Sequence, residues 1–133
     1  MLAGCGERFG LDRRTAFRLA RGFGSGMGTG NLCGAVTGAF MVLGFVAGED
    51  ADERRARFRT YDLVAEFSRR FEARRGSLLC KTLLGGVDVG TEAGRQEARE
   101  RNLFREVCPA FVHDAVEVLD ELRQGGAGGA APR

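Results

Sequence analysis

The chain has 133 residues, of which 44% are hydrophobic, a length and composition that suit one globular domain with one core. Twenty basic residues nearly balance eighteen acidic residues, so the net charge of +2 argues against nucleic acid or another polyanion as the main partner. The apolar run over residues 33–47 is shorter than the roughly 20 residues that cross a bilayer, and we expect no membrane span.

The hydrophobic periodicity predicts an all-α fold, a compact helical bundle over residues 1–124 followed by a disordered tail of small residues, 125–133. Asp12 is typical of an N-cap and predicts a first helix over residues 13–21. Four arginines occupy one side of this helix. Its other side is expected to face the core with four apolar residues, Ala16, Phe17, Leu19 and Ala20.

Glycine occupies every second position from Gly22 to Gly30, which ends the first helix because glycine stabilises helices poorly. A dinucleotide fingerprint needs glycines three apart after a strand, and neither feature is present. Two interpretations stay open. The stretch is either a turn that lets two helices pack tightly or a bend of backbone that passes close to a cofactor.

A second helix is expected from residue 31 or 32 to about residue 47, and it is apolar on all sides, which is typical of a buried helix at the centre of a bundle. Its Gly34 and Gly38 share one face, so another part of the chain can approach closely there. The next helix is predicted to begin after Asp50 or Asp52 and to end at Gly76. Its core stripe is Leu63, Val64, Phe67 and Phe71, with Phe58 pointing away.

Three shorter predictions complete the chain. Ser77 is expected to cap a short helix over residues 78–84, and residues 85–94 are expected to form a loop. Charged helical turns should follow up to about residue 105. The last helix is predicted to begin with Cys108 as its cap and Pro109 at its first position. On that helix Cys108 should face the core, whereas His113 should face water and is not expected to bind a metal.

The chain has four cysteines, Cys5, Cys33, Cys80 and Cys108, and their spacing matches no zinc-ribbon, thioredoxin or haem-attachment motif. The chain shows no secretory leader, so reduced or metal-bound thiols in the cytoplasm are expected. Cys5 fits a small hydrophobic residue of the core. The other three lie at predicted helix starts, where unpaired amides and a partial positive charge favour a thiolate and lower its pKa.

We therefore expect Cys33, Cys80 and Cys108 to converge as thiolate ligands of a metal centre, either zinc or an iron–sulfur cluster. Small residues next to such a site let backbone amides reach sulfur. This second interpretation of the glycine stretch predicts that four of its glycines floor the site, namely Gly24, Gly26, Gly28 and Gly30. Thiol–disulfide exchange between two of the cysteines is a variant of the same hypothesis.

Three segments, "GFGSGMGTGNLCGAVTGAFMVLG", "RFEARRGSLLCKTLLG" and "CPAFVHDAVEVLDEL", resemble the C_GCAxxG_C_C family of small bacterial and archaeal proteins described as redox-active. The resemblance runs from Leu2 to about Leu122, and the residues from Cys33 to Gly38 are its most specific element. It implies a functional role for Cys33, Cys80 and Cys108, a bound metal or iron–sulfur centre, and an electron-transfer partner. Whether the protein is an enzyme and whether it forms a homodimer stay open.

Cys5 does not align with the first cysteine of the family. Family members resemble one another in having their first cysteine in an Asn-Cys pair, before the segment that matches Met1 of this chain. Either Cys5 replaces that cysteine from one helical turn along, or the chain starts late. The alternative to a redox role is a non-catalytic helical interaction or scaffold protein in which the cysteines only pack. Phe58 and the basic first helix would then be its working surfaces.

Overall fold

The computed structural model describes residues 1–48 and 51–126, and within them it contains helices and a single isolated β-bridge. The α-helices are α1 (Leu2–Cys5), α2 (Arg13–Ala20), α3 (Gly34–Ala47), α4 (Glu53–Arg75), α5 (Cys80–Leu83), α6 (Glu92–Glu100), α7 (Leu103–Glu106) and α8 (Cys108–Gly126), and short 3₁₀ helices span Gly6–Phe9 and Arg21–Phe23. The predicted all-α class is confirmed. Asp50 and residues 127–133 of the predicted tail lie outside the described residues.

The core is built around α3, which packs against both α4 and α8 while these two helices also pack against each other. Val36 of α3, Phe67 of α4 and Val118 of α8 are fully buried. The ring of Phe40 meets the ring of Phe67 edge to face, with centroids 5.8 Å apart. A helix that is apolar all round is typical of a core, and eight of the fourteen residues of α3 are buried, as its composition predicts.

Three helix ends follow the predicted capping residues, whereas the N-cap of α5 is Leu79 and not the predicted Ser77. The Asp12 carboxylate accepts a hydrogen bond from the Thr15 backbone N–H at 3.0 Å at the start of α2. The Asp52 carboxylate accepts bonds from the backbone N–H groups of Arg54 and Arg55, so Asp52 is the N-cap of α4. Gly76 ends α4 with a φ of +80°, a left-handed conformation that glycine adopts without strain.

The two glycines of α3 mark close approaches, as their spacing predicts. A Cβ atom on Gly34 would lie 3.0 Å from the carbonyl oxygen of Phe23. A Cβ on Gly38 would lie 2.9 Å from the Cβ of Met1. The segment after α2 and the start of α1 therefore both rest against this face of α3.

Several predicted boundaries are wrong. The helix α3 begins at Gly34 rather than at residue 31 or 32, because Leu32 pairs with Leu79 in the isolated bridge. The short helix begins at Cys80 rather than at residue 78 for the same reason. The following loop ends before the predicted residue 94, since the Thr91 hydroxyl accepts a bond from the backbone N–H of Gly94 and caps α6.

The predicted core face of α2 is also wrong in part. Ala16 is fully buried, but Phe17 and Leu19 are 53% and 57% exposed. At 100° per residue these two side chains project to either flank of Ala16. The neighbouring α1 has only four residues and covers a narrow stripe of α2. The flanks of α2 therefore stay at the surface.

Among residues 1–48 and 51–126, no helix combines the length and the apolar character that crossing a bilayer requires.

Candidate metal centre

Cys33 and Cys80 are positioned by the bridge between Leu32 and Leu79. The backbone N–H of Cys33 donates to the carbonyl oxygen of Leu78 at 2.9 Å, and the N–H of Cys80 donates to the carbonyl oxygen of Asn31 at 2.7 Å. Side chains alternate between the two faces of an extended pair, so the residues on either side of the bridged leucines share one face. Cys33 and Cys80 thus project to the same side of this short ribbon.

All three candidate ligands lie at helix starts, as predicted. Cys33 is the N-cap residue of α3, Cys80 is the first residue of α5, and Cys108 is the first residue of α8. The thiols are free, with Cys33 and Cys80 buried and Cys108 half-buried. Each of three segments that are distant in sequence therefore has a cysteine at the N-terminal end of a helix.

The three thiols lie within electrostatic reach of one another. Burial, and to a smaller extent negative charge on Cys33 and on Cys108, raise the pKa of Cys80 to about 11. The pKa of Cys108 is raised first by burial and then by Cys33. Negative charge on either of the other two cysteines therefore disfavours a thiolate at Cys80.

The predicted lowering of the thiol pKa is wrong for the metal-free protein. The backbone N–H groups of Ala35 and Val36, at the start of α3, do lower the pKa of Cys33. Burial of the sulfur has the larger effect and raises the pKa overall, because a thiolate loses its hydration in an apolar core. These cysteines are therefore neutral thiols near pH 7 until a ligand replaces their protons.

The glycine stretch forms a left-handed turn over Cys80. Ser25, Gly26, Met27 and Gly28 have φ values of 53°, 62°, 59° and 69° in succession. A Cβ on Gly26 would lie 2.9 Å from the Cβ of Cys80 and 2.6 Å from the backbone nitrogen of Asn31. Gly26 therefore lets the main chain pass close to the Cβ of Cys80, and the predicted approach of amides to sulfur stays a prediction.

The other three candidate glycines have different surroundings. Gly24 has an extended backbone and rests against Gly34. A Cβ on Gly30 would lie 2.9 Å from Oδ1 of Asp88, and a Cβ on Gly28 would meet nothing within 4 Å. Of the four, Gly26 is the glycine that contacts a candidate ligand.

Asp88 holds the glycine turn in place, a role that the sequence pattern does not predict. Its Oδ1 accepts from the backbone N–H of Gly90 at 3.0 Å, and its Oδ2 accepts from Nζ of Lys81 at 3.0 Å. Gly90 in turn lies against the carbonyl oxygen of Thr29. The only signal in the sequence is that Lys81, the one lysine of the chain, directly follows Cys80.

The interactions of Cys5 and His113 differ from those of these three cysteines. Cys5 ends α1, is half-buried in the core, and is not one of the groups that shift the pKa of Cys80. The His113 side chain is 71% exposed, which confirms that it faces water. Its Nδ1 lies 3.7 Å from Asp114 and 3.9 Å from Glu117, but these carboxylates already pair with Arg75 and Arg74.

The spread of the sulfurs bears on which metal they fit. In the described part of the chain, His113, Asp114 and Glu117 form the one group of three such residues with ligand atoms all within 4.8 Å of one another. At least one pair of the sulfurs of Cys33, Cys80 and Cys108 is therefore more than 4.8 Å apart. A single tetrahedral ion with bonds of about 2.3 Å would hold its sulfurs roughly 3.8 Å apart. A pair of sulfurs more than 4.8 Å apart exceeds that spacing.

Comparison with known proteins gives one match, a family model that covers most of the chain. The family described as "Putative redox-active protein (C_GCAxxG_C_C)" matches residues 1–122. The chain belongs to this family. The C_GCAxxG_C_C match covers all four cysteines and the glycine stretch, and it confirms the resemblance found in the sequence. No curated protein and no solved structure matches the chain.

Proposed function

We propose that Cys33, Cys80 and Cys108 are the protein ligands of an iron–sulfur centre that carries electrons. The observation that supports this most directly is the pairing of Leu32 with Leu79, which sends two cysteines to one face, with Cys108 within electrostatic reach of both. Redox activity in the family description favours iron over zinc, since zinc has no redox chemistry. At least one pair of the three sulfurs is more than 4.8 Å apart, which also favours a centre larger than a single ion.

The chain has several groups that suit such a centre. When bound, the cluster would supply one-electron chemistry. The amides of Ala35 and Val36 stabilise negative charge on Cys33, and amides near sulfur are one way in which proteins tune cluster potentials. The Gly26 backbone covers Cys80 and keeps water from it. With three cysteines, the fourth ligand would come from another group, such as water or a partner.

Two features argue against thiol–disulfide exchange as the main activity. Cys33 and Cys80 are only 8% and 6% exposed, so a disulfide of another protein could not reach them for in-line attack. Their raised pKa values also keep the nucleophilic thiolate scarce near pH 7. An electron-transfer partner protein in a reducing compartment such as the cytoplasm suits a buried centre better.

The scaffold alternative rests on the same burial, because free cysteines often pack as small apolar residues. One experiment distinguishes the iron–sulfur proposal from the scaffold alternative. The full chain is purified anaerobically and analysed for iron, sulfide and zinc, and its visible and electron paramagnetic resonance spectra are recorded. We expect stoichiometric iron and sulfide with thiolate-to-iron absorption. Each of Cys33→Ser, Cys80→Ser and Cys108→Ser should lose this absorption, and Cys5→Ser should keep it.

The opposite results would reject the proposal. The cysteines would have only a packing role if the protein bound no iron after reconstitution with ferrous iron and sulfide. The same conclusion would follow if Cys80→Ser bound as much iron as the original chain. Stoichiometric zinc in place of iron would reject electron transfer while keeping a metal site. Circular dichroism of each variant shows whether a loss of metal is separate from a loss of fold.

A further inference from the structure

A cavity of about 290 Å³ lies between the three helices that form the core, with lining residues on α3, α4 and α8. Small-molecule sites have volumes of about 300–1,000 Å³ and often lie between the helices of a bundle, so this cavity has the size of a small site. On α3 its lining begins at Val42, nine residues beyond Cys33, which is about 14 Å along the helix axis. The cavity is therefore separate from the candidate metal centre.

The walls of the cavity are aliphatic. Six side chains form them, namely Val42, Leu43, Val46, Leu63, Leu119 and Leu122. Leu43 and Leu119 are only 2% and 5% exposed. None of the six side chains offers a hydrogen-bond donor or acceptor, so a polar group placed among them would lose its hydration without compensation. The interior therefore suits an alkyl chain.

The two remaining lining residues are arginines. Arg59 lies one helical turn before Leu63 on α4, and Arg123 directly follows Leu122 on α8. Both arginines are exposed, whereas Leu122 is buried. Positive charge therefore lies at the mouth of the cavity, and apolar surface lies inside it.

The charges of these arginines are available to a ligand. Within residues 1–48 and 51–126 the Arg59 guanidinium forms no ion pair, although Asp62 lies three residues further along α4. Arg123 pairs with Asp120 at 3.3 Å, but the two side chains are 55% and 53% exposed, and water screens such a pair. A carboxylate at the mouth would be a partner for Arg59, because a planar guanidinium can bind both carboxylate oxygens.

We propose that this cavity, called here the Leu63 cavity (the six aliphatic residues with Arg59 and Arg123), binds a free medium-chain fatty acid. The alkyl chain lies among the aliphatic side chains, and the carboxylate pairs with the two arginines at the mouth. Burial of methylene groups supplies most of the affinity, and the arginines select a negatively charged head group. The volume is near the lower limit for small-molecule sites and favours a medium chain over a long one. This binding does not depend on the proposed role of the cysteines.

Isothermal titration calorimetry of the full chain with three soluble amphiphiles tests both parts of the ligand. Decanoate should bind saturably at one site. Octanoate has two methylene groups fewer and should bind more weakly by about tenfold. Decyltrimethylammonium has an alkyl chain as long as that of decanoate but the opposite charge, and it should bind more weakly by about tenfold or more.

Two variants separate the contribution of the head group from that of the chain. Arg59→Gln/Arg123→Gln should weaken decanoate binding by about tenfold and leave the binding of neutral 1-octanol unchanged. Val46→Phe fills the cavity and should abolish the binding of both compounds. The controls are Arg57→Gln and Val116→Phe, which change an exposed arginine of α4 and an exposed valine of α8 outside the lining, and neither should alter binding. Circular dichroism shows whether each variant is folded.

Several results would overturn the proposal. These are a lack of saturable decanoate binding, equal affinity for decanoate and decyltrimethylammonium, or equal effects of test and control variants. Binding to phosphatidylglycerol vesicles without binding of free decanoate would indicate a membrane surface instead. A dimer that Val46→Phe dissociates would assign the cavity to a second copy of the chain and would also overturn the proposal. Cys80→Ser should bind decanoate like the original chain, so the outcome is independent of whether the cysteines bind iron.

Discussion

Leu32 and Leu79 pair across an antiparallel bridge just before the chain enters α3 and α5, and the residues that follow them are Cys33 and Cys80. Each cysteine N–H donates across the bridge, to Leu78 and to Asn31. The position of both sulfurs therefore depends on a backbone pairing between segments far apart in sequence. This pairing explains why both helices begin later than their local sequence predicts.

Removing a side chain that supports the bridge should destabilise the protein. The Ser77 hydroxyl oxygen is buried and accepts from the backbone N–H of Leu79 at 3.0 Å, so Ser77→Ala leaves that N–H without its partner. We expect the free energy of unfolding in urea to fall by about 1–2 kcal/mol. Ser68→Ala is the control, because the Ser68 hydroxyl only donates back to Val64 within α4, and a change of less than ~0.5 kcal/mol is expected. Equal losses in the two variants would contradict a special role for Ser77.

Alanine substitutions in the glycine turn should have graded effects. In Gly26→Ala the new Cβ would be held at a φ of +62° and would clash with Asn31 and Cys80, so we expect a loss of more than ~2 kcal/mol. In Gly28→Ala the φ is +69° but the space is open, so only backbone strain of about 1 kcal/mol is expected. Gly24→Ala, with an ordinary φ of −68° and open space, should be nearly neutral.

Chemical denaturation of the three glycine variants measures this order directly. Iron reconstitution adds a second measurement, because the new Cβ of Gly26→Ala would meet Cys80 and that of Gly28→Ala would meet nothing within 4 Å. Gly26→Ala should retain less iron than Gly28→Ala even where both are folded. A Gly28→Ala variant as damaged as Gly26→Ala would show that the left-handed backbone, rather than the contact with Cys80, limits this turn.

The metal-free protein should lose stability in alkali. Since the folded-state pKa of Cys80 is about 11 against an ordinary value of 9.0, the folded state favours the neutral thiol. This contribution is fully present below about pH 9 and is lost as the pH rises towards about 11. The raised pKa values of Cys33 and Cys108 act in the same direction. Urea midpoints measured across this range should fall less steeply for Cys80→Ala than for the original chain, and parallel curves would contradict the prediction.

The contact between α4 and α8 should weaken in acid. Arg75 donates to the Asp114 carboxylate, lies over the Phe111 ring at 5.3 Å, and lowers the pKa of Asp114 below its ordinary value of 3.8. The ion pair therefore stabilises the fold above about pH 4 and is lost as the pH falls through the lowered pKa. Asp114→Asn should lower the free energy of unfolding by about 1 kcal/mol at neutral pH and by little in acid.

The control for this pair is Asp120→Asn on the same helix. Asp120 pairs with Arg123 at 3.3 Å, but both side chains are more than half exposed, so water screens the interaction. Thermal or urea unfolding at neutral pH should change by less than ~0.5 kcal/mol. An effect of Asp120→Asn equal to that of Asp114→Asn would show that burial does not distinguish the two pairs.

Local sequence determined the helical elements of this protein. Caps such as Asp12, Asp52 and Gly76 act within one turn, and the apolar composition of α3 requires burial whatever surrounds it. Whereas the starts at Cys33 and Cys80 depend on the bridge, the start of α8 at Cys108, directly before Pro109, follows from the same short-range rules. These features could be predicted because their physical causes lie within a few residues.

Only the tertiary structure decided how the cysteines meet and how acidic they are. The bridge of Leu32 with Leu79 joins distant segments, and no local spacing predicts it. Burial of Cys33 by the core outweighs the amides of its own helix, so the pKa rises where the helix start alone predicts a fall. Likewise Phe17 and Leu19 are exposed because α1 covers so little of α2. Desolvation depends on atoms that folding brings from elsewhere in the chain, and that is why the sequence pattern could not determine it.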